Sequence, residues 1–347
     1  MPGEFVGPLE SSVYENNDPM RDIDDSRVSR DTSDAHFSAP YAPLPHRGSA
    51  AETPSDSAEL LALRGLDVVY RGQRGEFHAV RDVDLSIGVG EQVALVGESG
   101  SGKTTLGMAI AGYLGKQTGA EVTFESLVFE GSDLQRKRTT GIPVRTPGIA
   151  MIFQDAMTSL DPVWTIGSQL RHVVASTGRE KGRKAVTERA RAWLADVGLN
   201  DTDRVMKSRP HELSGGMRQR AMMAIALSGS PRLLIADEPT SALDASLSRA
   251  AMELMRSLAE ETGTALLIVS HDVQLCGEFA DRMVVMYRGE VVESGVASTL
   301  TSHAVHPYTR GLLACVPDLE SRHLERLPVL GDFVLPSSSA LVEERSA

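Results

Sequence analysis

Gly97, Gly102, Lys103 and Thr104 stand in the stretch "LVGESGSGKTTL" at the spacing G-x-x-x-x-G-K-[ST]. That spacing suits the holding of an oligophosphate. Small residues let successive backbone N–H groups turn inward on an anion, and the positive end of the helix that follows adds to the field. Lys103 can reach the β- and γ-phosphates, and the Thr104 hydroxyl can ligate Mg²⁺. A second pair, Asp237 and Glu238, lies at the end of the apolar run in "LLIADEP". Asp237 is placed to hold Mg²⁺, directly or through water, and Glu238 to polarise an attacking water. The alternative is a strand that ends in two solvated carboxylates. A third element, "LSGGMRQR", sets Leu213, Ser214, Gly215 and Gly216 at a helix start, an anion site without a lysine. Two such surfaces about 110 residues apart in one chain suggest that each of two ATP molecules is sandwiched between two chains.

These residues need an α/β scaffold to meet. The run "EQVALVG" reads as a strand entering the glycine-rich loop, and "KTTLGMAIAGYL" as a helix leaving it. Further strands are expected at "LALRGLDVVY", "HAVRDVDLSI", "GIAMIFQ", "RLLIAD", "TALLIVS" and the pair "RMVVMY"/"EVVESG". Between "IFQD" and "LSGG" the pattern turns helical, most clearly in "RKAVTERARAWLADVG", where apolar residues recur at three and four. The order predicts a nucleotide-binding core with a helical insertion.

Composition sets the surroundings. A chain of 347 residues with 41% hydrophobic content can bury a full core, as one large or two modest domains. No run approaches the ~18 consecutive apolar residues of a membrane span. No short apolar segment follows a basic N-terminus, which argues against a secretory leader. Only Cys276 and Cys315 are present, so a disulfide framework and a CxxC metal site are excluded, and a reducing cytosol is expected. The net charge of −12 argues against a broad nucleic-acid footprint. Residues 1–57 hold 11 acidic and 4 basic residues among Pro and Ser, without a sustained period. They read as a disordered acidic tail, with a regulatory or partner-binding role as the alternative.

Across about residues 59–318 the sequence closely resembles the ATP-binding cassette (ABC) family. "GESGSGKTT", "MIFQD", "LSGGMRQR", "LLIADEP", "SALD" and "IVSHD" resemble its Walker A, Q-loop, signature, Walker B, D-loop and switch-histidine motifs, in that order. The resemblance implies a P-loop NTPase fold over residues 58–300, with an antiparallel β subdomain and a helical subdomain at about 156–215. It implies that Gly97, Glu98, Ser99, Gly100, Ser101, Gly102, Lys103, Thr104 and Thr105 hold ATP. Leu213, Ser214, Gly215, Gly216 and the D-loop Asp244 would serve nucleotide at a dimer interface, Ser214 and Gly216 acting in trans. Thr104, Gln154 and Asp237 would hold Mg²⁺, while Glu238, His271 and Gln154 would act on the γ-phosphate and the attacking water. Tyr70, upstream in "VVYRG", resembles the aromatic that stacks on adenine; a core or surface tyrosine is the alternative.

"MIFQDAMTSLDPVWTIGSQL" and "HPYTRGLLACVPDLE" resemble stretches of the oligopeptide/dipeptide importer ATPases, and "MTSLDP" with "SGGMRQR" their D-type subunit. The resemblance implies an ATPase at the cytoplasmic face of the membrane that pairs with an F-type ATPase subunit. Transmembrane permease subunits are the further partners, an extracellular solute-binding protein acts indirectly, and no nucleic acid is involved. Residues 156–169 would receive a permease helix, with Trp164 as a contact or, equally, a buried aromatic. Residues 301–347 would form a truncated, partly disordered importer-type extension. D-type members often carry a cysteine-rich extension holding iron and sulfur; with only two cysteines, this chain is expected to bind no iron, and packing to account for both thiols. Other readings stay open: nickel or another small molecule as solute, or a soluble cassette ATPase of DNA repair or translation. A small-molecule P-loop kinase leaves "LSGG" unexplained.

Overall fold

Two sheets and a set of helices carry the candidate residues. A computed structural model describes residues 59–72, 75–115, 118–134, 146–154, 159–241 and 243–315; the expected tail over 1–57 lies outside them, as do Ala156 and the chain beyond 315. The first sheet is antiparallel. Its long hairpin, β1 (Glu59–Gly72) and β2 (Gly75–Gly88), pairs through β1 with β4 (Ala120–Thr123) and β5 (Ser126–Phe129), and β5 pairs with β6 (Ser132–Asp133). The last three strands were not expected from the sequence.

The second sheet has the order β11-β10-β3-β9-β8-β7: Glu290–Val296, Arg282–Tyr287, Gln92–Val96, Ala265–Ser270, Leu233–Asp237 and Ile149–Ile152. All its pairs are parallel except β10 with β11. Both faces of this sheet are covered, which is why β3, β8 and β9 are unbroken apolar runs. Alternation still sorts the side chains. Leu95, Ile235 and Leu267 join a core with the antiparallel sheet and α1 (Lys103–Ala111). Val96, Leu234 and Ile268 join a second core with the helices opposite.

Those helices include the insertion: α2 (Ile166–Ser176), α3 (Arg183–Asp196) and α4 (Thr202–Lys207), packed on α5 (Gly215–Ser228). In α3 the buried residues are Val186, Ala190, Trp193 and Leu194, the stripe that the apolar spacing predicts. Beyond β8 run α6 (Ala245–Thr262) and α7 (Val273–Phe279); beyond β11 come α8 (Ala297–His303) and α9 (Pro307–Ala314). The domain boundary expected at residue 300 falls inside α8, and Tyr308 on α9 is a member of the larger core. Cys276 on α7 is fully buried, and burial pushes its thiol up to about 12. Cys315, at the C-cap of α9, is half-buried.

Candidate functional site

The glycine-rich loop leaves β3 at Gly97 and enters α1 at Gly102, and both glycines are required by what stands beside them. Gly97 has φ 150° and Gly102 φ 103°; a Cβ would stand 2.2 Å from the Met286 carbonyl oxygen at the first and 2.3 Å from that of Ala79 at the second. Helices α2, α5, α6 and α7 begin with a side chain that accepts from a first-turn N–H, whereas α1 begins at Gly102 with no side-chain cap. The N–H groups of its first turn have no intrahelical acceptor, so the loop offers donors and a positive helix end to an anion.

Inside the loop the Lys103 ammonium, 5% exposed, donates to the carbonyls of Gly97 (2.8 Å) and Glu98 (2.7 Å) and to the Ser101 hydroxyl (3.3 Å). Burial lowers its pKa, an effect opposed by the carboxylates of Glu238, Asp237 and Glu98. Thr104, the next residue, donates its hydroxyl to Asp237 at 3.0 Å. Asp237 ends β8 and is 3% exposed; burial raises its pKa, and the Thr104 hydrogen bond works the other way. A hydroxyl and a buried carboxylate in contact are hard oxygen donors of the kind Mg²⁺ takes, and a cation there would relieve the cost of burying the charge.

Glu238 is turned out of the strand. Its φ of 45° is left-handed, a conformation that costs a non-glycine residue on the order of 1 kcal/mol, and its N–H donates to the Val269 carbonyl at 2.8 Å. The turn brings the carboxylate between two side chains from other strand ends: Gln154 Nε2 donates to it at 2.8 Å, and His271 Nδ1 lies 3.0 Å from it. Gln154, Glu238 and His271 are far apart in sequence and meet here at the rim of one cleft.

That cleft has a volume of about 650 Å³. Its walls include Ser99, Gly100, Gly102, Lys103, Thr104 and Thr105 from the loop and start of α1, with Gln154, Glu238, His271 and Tyr70. Phe77, which no motif marks, also lines it and is 62% exposed. Tyr70 and Phe77 are directly paired across the β1–β2 hairpin, so their side chains share a face. The arrangement is able to hold a polyphosphate, to seat a planar base against aromatic rings, and to orient a water beside a carboxylate.

Other expected residues lie elsewhere. Leu213, Ser214, Gly215 and Gly216 do not line the cleft; the Ser214 hydroxyl caps α5 by accepting the Met217 N–H at 3.3 Å, and the space over Gly215 and Gly216 is open. Asp244 is also outside it, capping α6 by accepting the N–H groups of Ser246 and Leu247. A second cleft of about 610 Å³ adjoins the first and shares Glu238, Ser241 and His271 with it. Trp164 is 58% exposed beside Val163 at 70%, which removes the buried reading of that aromatic.

A parallel sheet with a phosphate loop between β3 and α1, an acidic β8 end beside it and a polar rim of glutamine, glutamate and histidine define a P-loop nucleotide hydrolase. The ABC transporter family model matches residues 80–241. The oligopeptide transport ATP-binding protein AppD of Bacillus subtilis is 42% identical over 262 residues, 75% of this chain and 79% of that protein. A putative peptide import ATP-binding protein of Brucella melitensis is 40% identical over 283 residues, 81% of this chain and 84% of that one. The glutathione import ATP-binding protein GsiA of Salmonella choleraesuis is 37% identical over 84% of this chain, which spans 47% of its length. Among solved structures, cbiO1 of Clostridium perfringens, part of the ABC transporter complex cbiONQ, has a TM-score of 0.58 at 24% identity, covering 72% of this chain and 92% of that one. The cassette MJ0796, a dimer in a post-hydrolysis state with ADP and Pi, has a TM-score of 0.57 at 25% identity, covering 68% and 98%. The chain belongs to the ATP-binding, ATP-hydrolysing proteins of the ABC transporter family.

Proposed function

We propose that this chain energises the import of oligopeptides or dipeptides, working at the cytoplasmic face of a membrane. The observation that carries the mechanism is the position of Glu238, held by Gln154 and His271 in the cleft that Lys103 also lines. In this reading the loop residues Gly97 to Thr105 cradle the phosphates of ATP, with Lys103 on the β- and γ-phosphates. Tyr70 and Phe77 seat the adenine. Thr104 and Asp237, with Gln154, hold Mg²⁺, which neutralises charge on the phosphates when bound. Glu238 accepts a proton from the attacking water, and His271 both orients Glu238 and donates toward the γ-phosphate. Gln154 and His271 come from the segments just after β7 and β9, so hydrolysis in this reading answers to the state of the rim.

The open backbone at Gly215 and Gly216, outside this chain's own cleft, supports a second ATPase subunit, of the F type, whose bound nucleotide Ser214 and Gly216 complete. Asp244 sits at the same kind of interface, and its capping of α6 holds the turn that presents it. Exposed Val163 and Trp164, on the helical insertion, support docking of a transmembrane permease subunit there. No described helix is long and apolar enough to cross a membrane, which suits attachment through such partners. An extracellular solute-binding protein would deliver the peptide. The test is uptake of labelled di- and oligopeptides into vesicles holding the assembled transporter, with ATP supplied on the side of this chain. Peptide uptake dependent on ATP supports the reading; uptake of nickel with no peptide transport replaces the substrate.

A further inference from the structure

The phosphate loop is braced from behind by the last described helix. The N–H of Glu98, second residue of the loop, donates to the Tyr308 hydroxyl at 2.9 Å across 210 residues of sequence. Tyr308 on α9 is 1% exposed, and its ring rests on that of Tyr287 at the end of β10 with centroids 4.1 Å apart. The turn after Tyr287 adds a second brace, since the Gly289 N–H donates to the Ser101 carbonyl at 2.9 Å. The start of α9 is tethered in turn: the Glu293 carboxylate on β11 accepts the N–H groups of Val305 at 2.7 Å and His306 at 3.1 Å.

Packing alone does not account for the hydroxyl, because a phenylalanine ring would fill the same space. Burial pushes the phenol up to about 12, so it is a neutral hydroxyl at physiological pH and an acceptor for one particular loop N–H. We propose that Tyr308 is a positioning residue for the nucleotide: by accepting the Glu98 N–H it fixes the first peptide of the phosphate loop before ATP arrives. A loop ordered in advance loses less freedom on binding, which strengthens affinity without any contact to the ligand. The segment after β11 is thereby part of the nucleotide site. This rests on the nucleotide reading of the cleft.

Tyr308→Phe keeps the ring and removes only the acceptor. In the full-length chain, titrated with ADP by calorimetry, it is expected to weaken binding about threefold to tenfold, the scale of one ordinary hydrogen bond. In the assembled transporter the KM for ATP should rise with kcat kept, because the loop holds ground and transition states alike. Leu300→Ala on α8 is the control; it loosens the same core away from the loop and should lower the urea midpoint with ADP affinity unchanged. Affinity lost in Tyr308→Phe and kept in Leu300→Ala supports the proposal. Wild-type affinity in Tyr308→Phe, or equal losses in both variants, overturns it. Absence of ADP binding by the wild-type chain would instead overturn the nucleotide reading on which it stands.

Discussion

Glu238 and Lys103 line the same cleft, and their chemistry separates what a mutation at each should do. Glu238→Gln keeps the size of the side chain and removes the base, so ATP binding should persist while hydrolysis by the assembled transporter falls about 10²–10⁴-fold. Hydrolysis at the wild-type rate would remove Glu238 from that role. Lys103 holds charge in the ground state as well as the transition state, and its ammonium is already desolvated inside the loop. Lys103→Ala should therefore weaken nucleotide binding and hydrolysis together, and calorimetry with unchanged affinity would count against it. That both residues would line one cleft was legible in the sequence, because backbone cradling and charge placement need fixed residue types at fixed spacing. Phe77 was not legible. Its place in the cleft comes from its pairing with Tyr70 across the β1–β2 hairpin, which no phosphate-binding motif reports. Tyr308 was hidden for another reason: its partner is 210 residues away.

At the scale of elements, the junction of β3 and α1 is set by two glycines that differ in kind from their neighbour Gly100. Gly102→Ala must put a methyl group 2.3 Å from the Ala79 carbonyl oxygen, whereas Gly100, at φ 81°, has nothing within 4 Å of such a methyl. Gly102→Ala is expected to lower stability by ~2–3 kcal/mol and to abolish ADP binding, while Gly100→Ala carries only the left-handed strain of ~1 kcal/mol. Urea unfolding and ADP titration of the two variants check the contrast; equal effects would mean that strain, not collision, governs the loop. The long strands and the α3 stripe were readable from apolar runs and 3.6-residue spacing. The strands β4, β5 and β6 were not, being two to four residues long, with "AEVT" and "SD" mostly polar. β4 and β5 exist because β1 is long enough to pair along its second edge, and β6 because it pairs in turn with β5, a tertiary cause.

For the whole molecule, the separation of Ser214 at the N-terminus of α5 from the chain's own cleft puts the proposed partnership to a direct test. Ser214→Arg should leave ADP binding by the isolated chain nearly normal. Mixed with an intact copy of the proposed F-type subunit in the transporter, it should impair hydrolysis at the site built on the partner's phosphate loop. Loss of binding in the isolated chain would show that the substitution damages the fold instead. The burial of Cys276 gives the molecule a clock for its own breathing. An alkylating reagent meets this thiol only after α7 has lifted from the core, since the closed form withholds both access and the thiolate. The half-buried Cys315 marks the early phase of the reaction, and the slow phase counts openings around α7. Because His271 and Asp272 lead from the cleft into that helix, ADP bound in the cleft should lengthen the slow phase by the factor 1 + [ADP]/Kd, making one cysteine an untagged gauge of ligand and fold together.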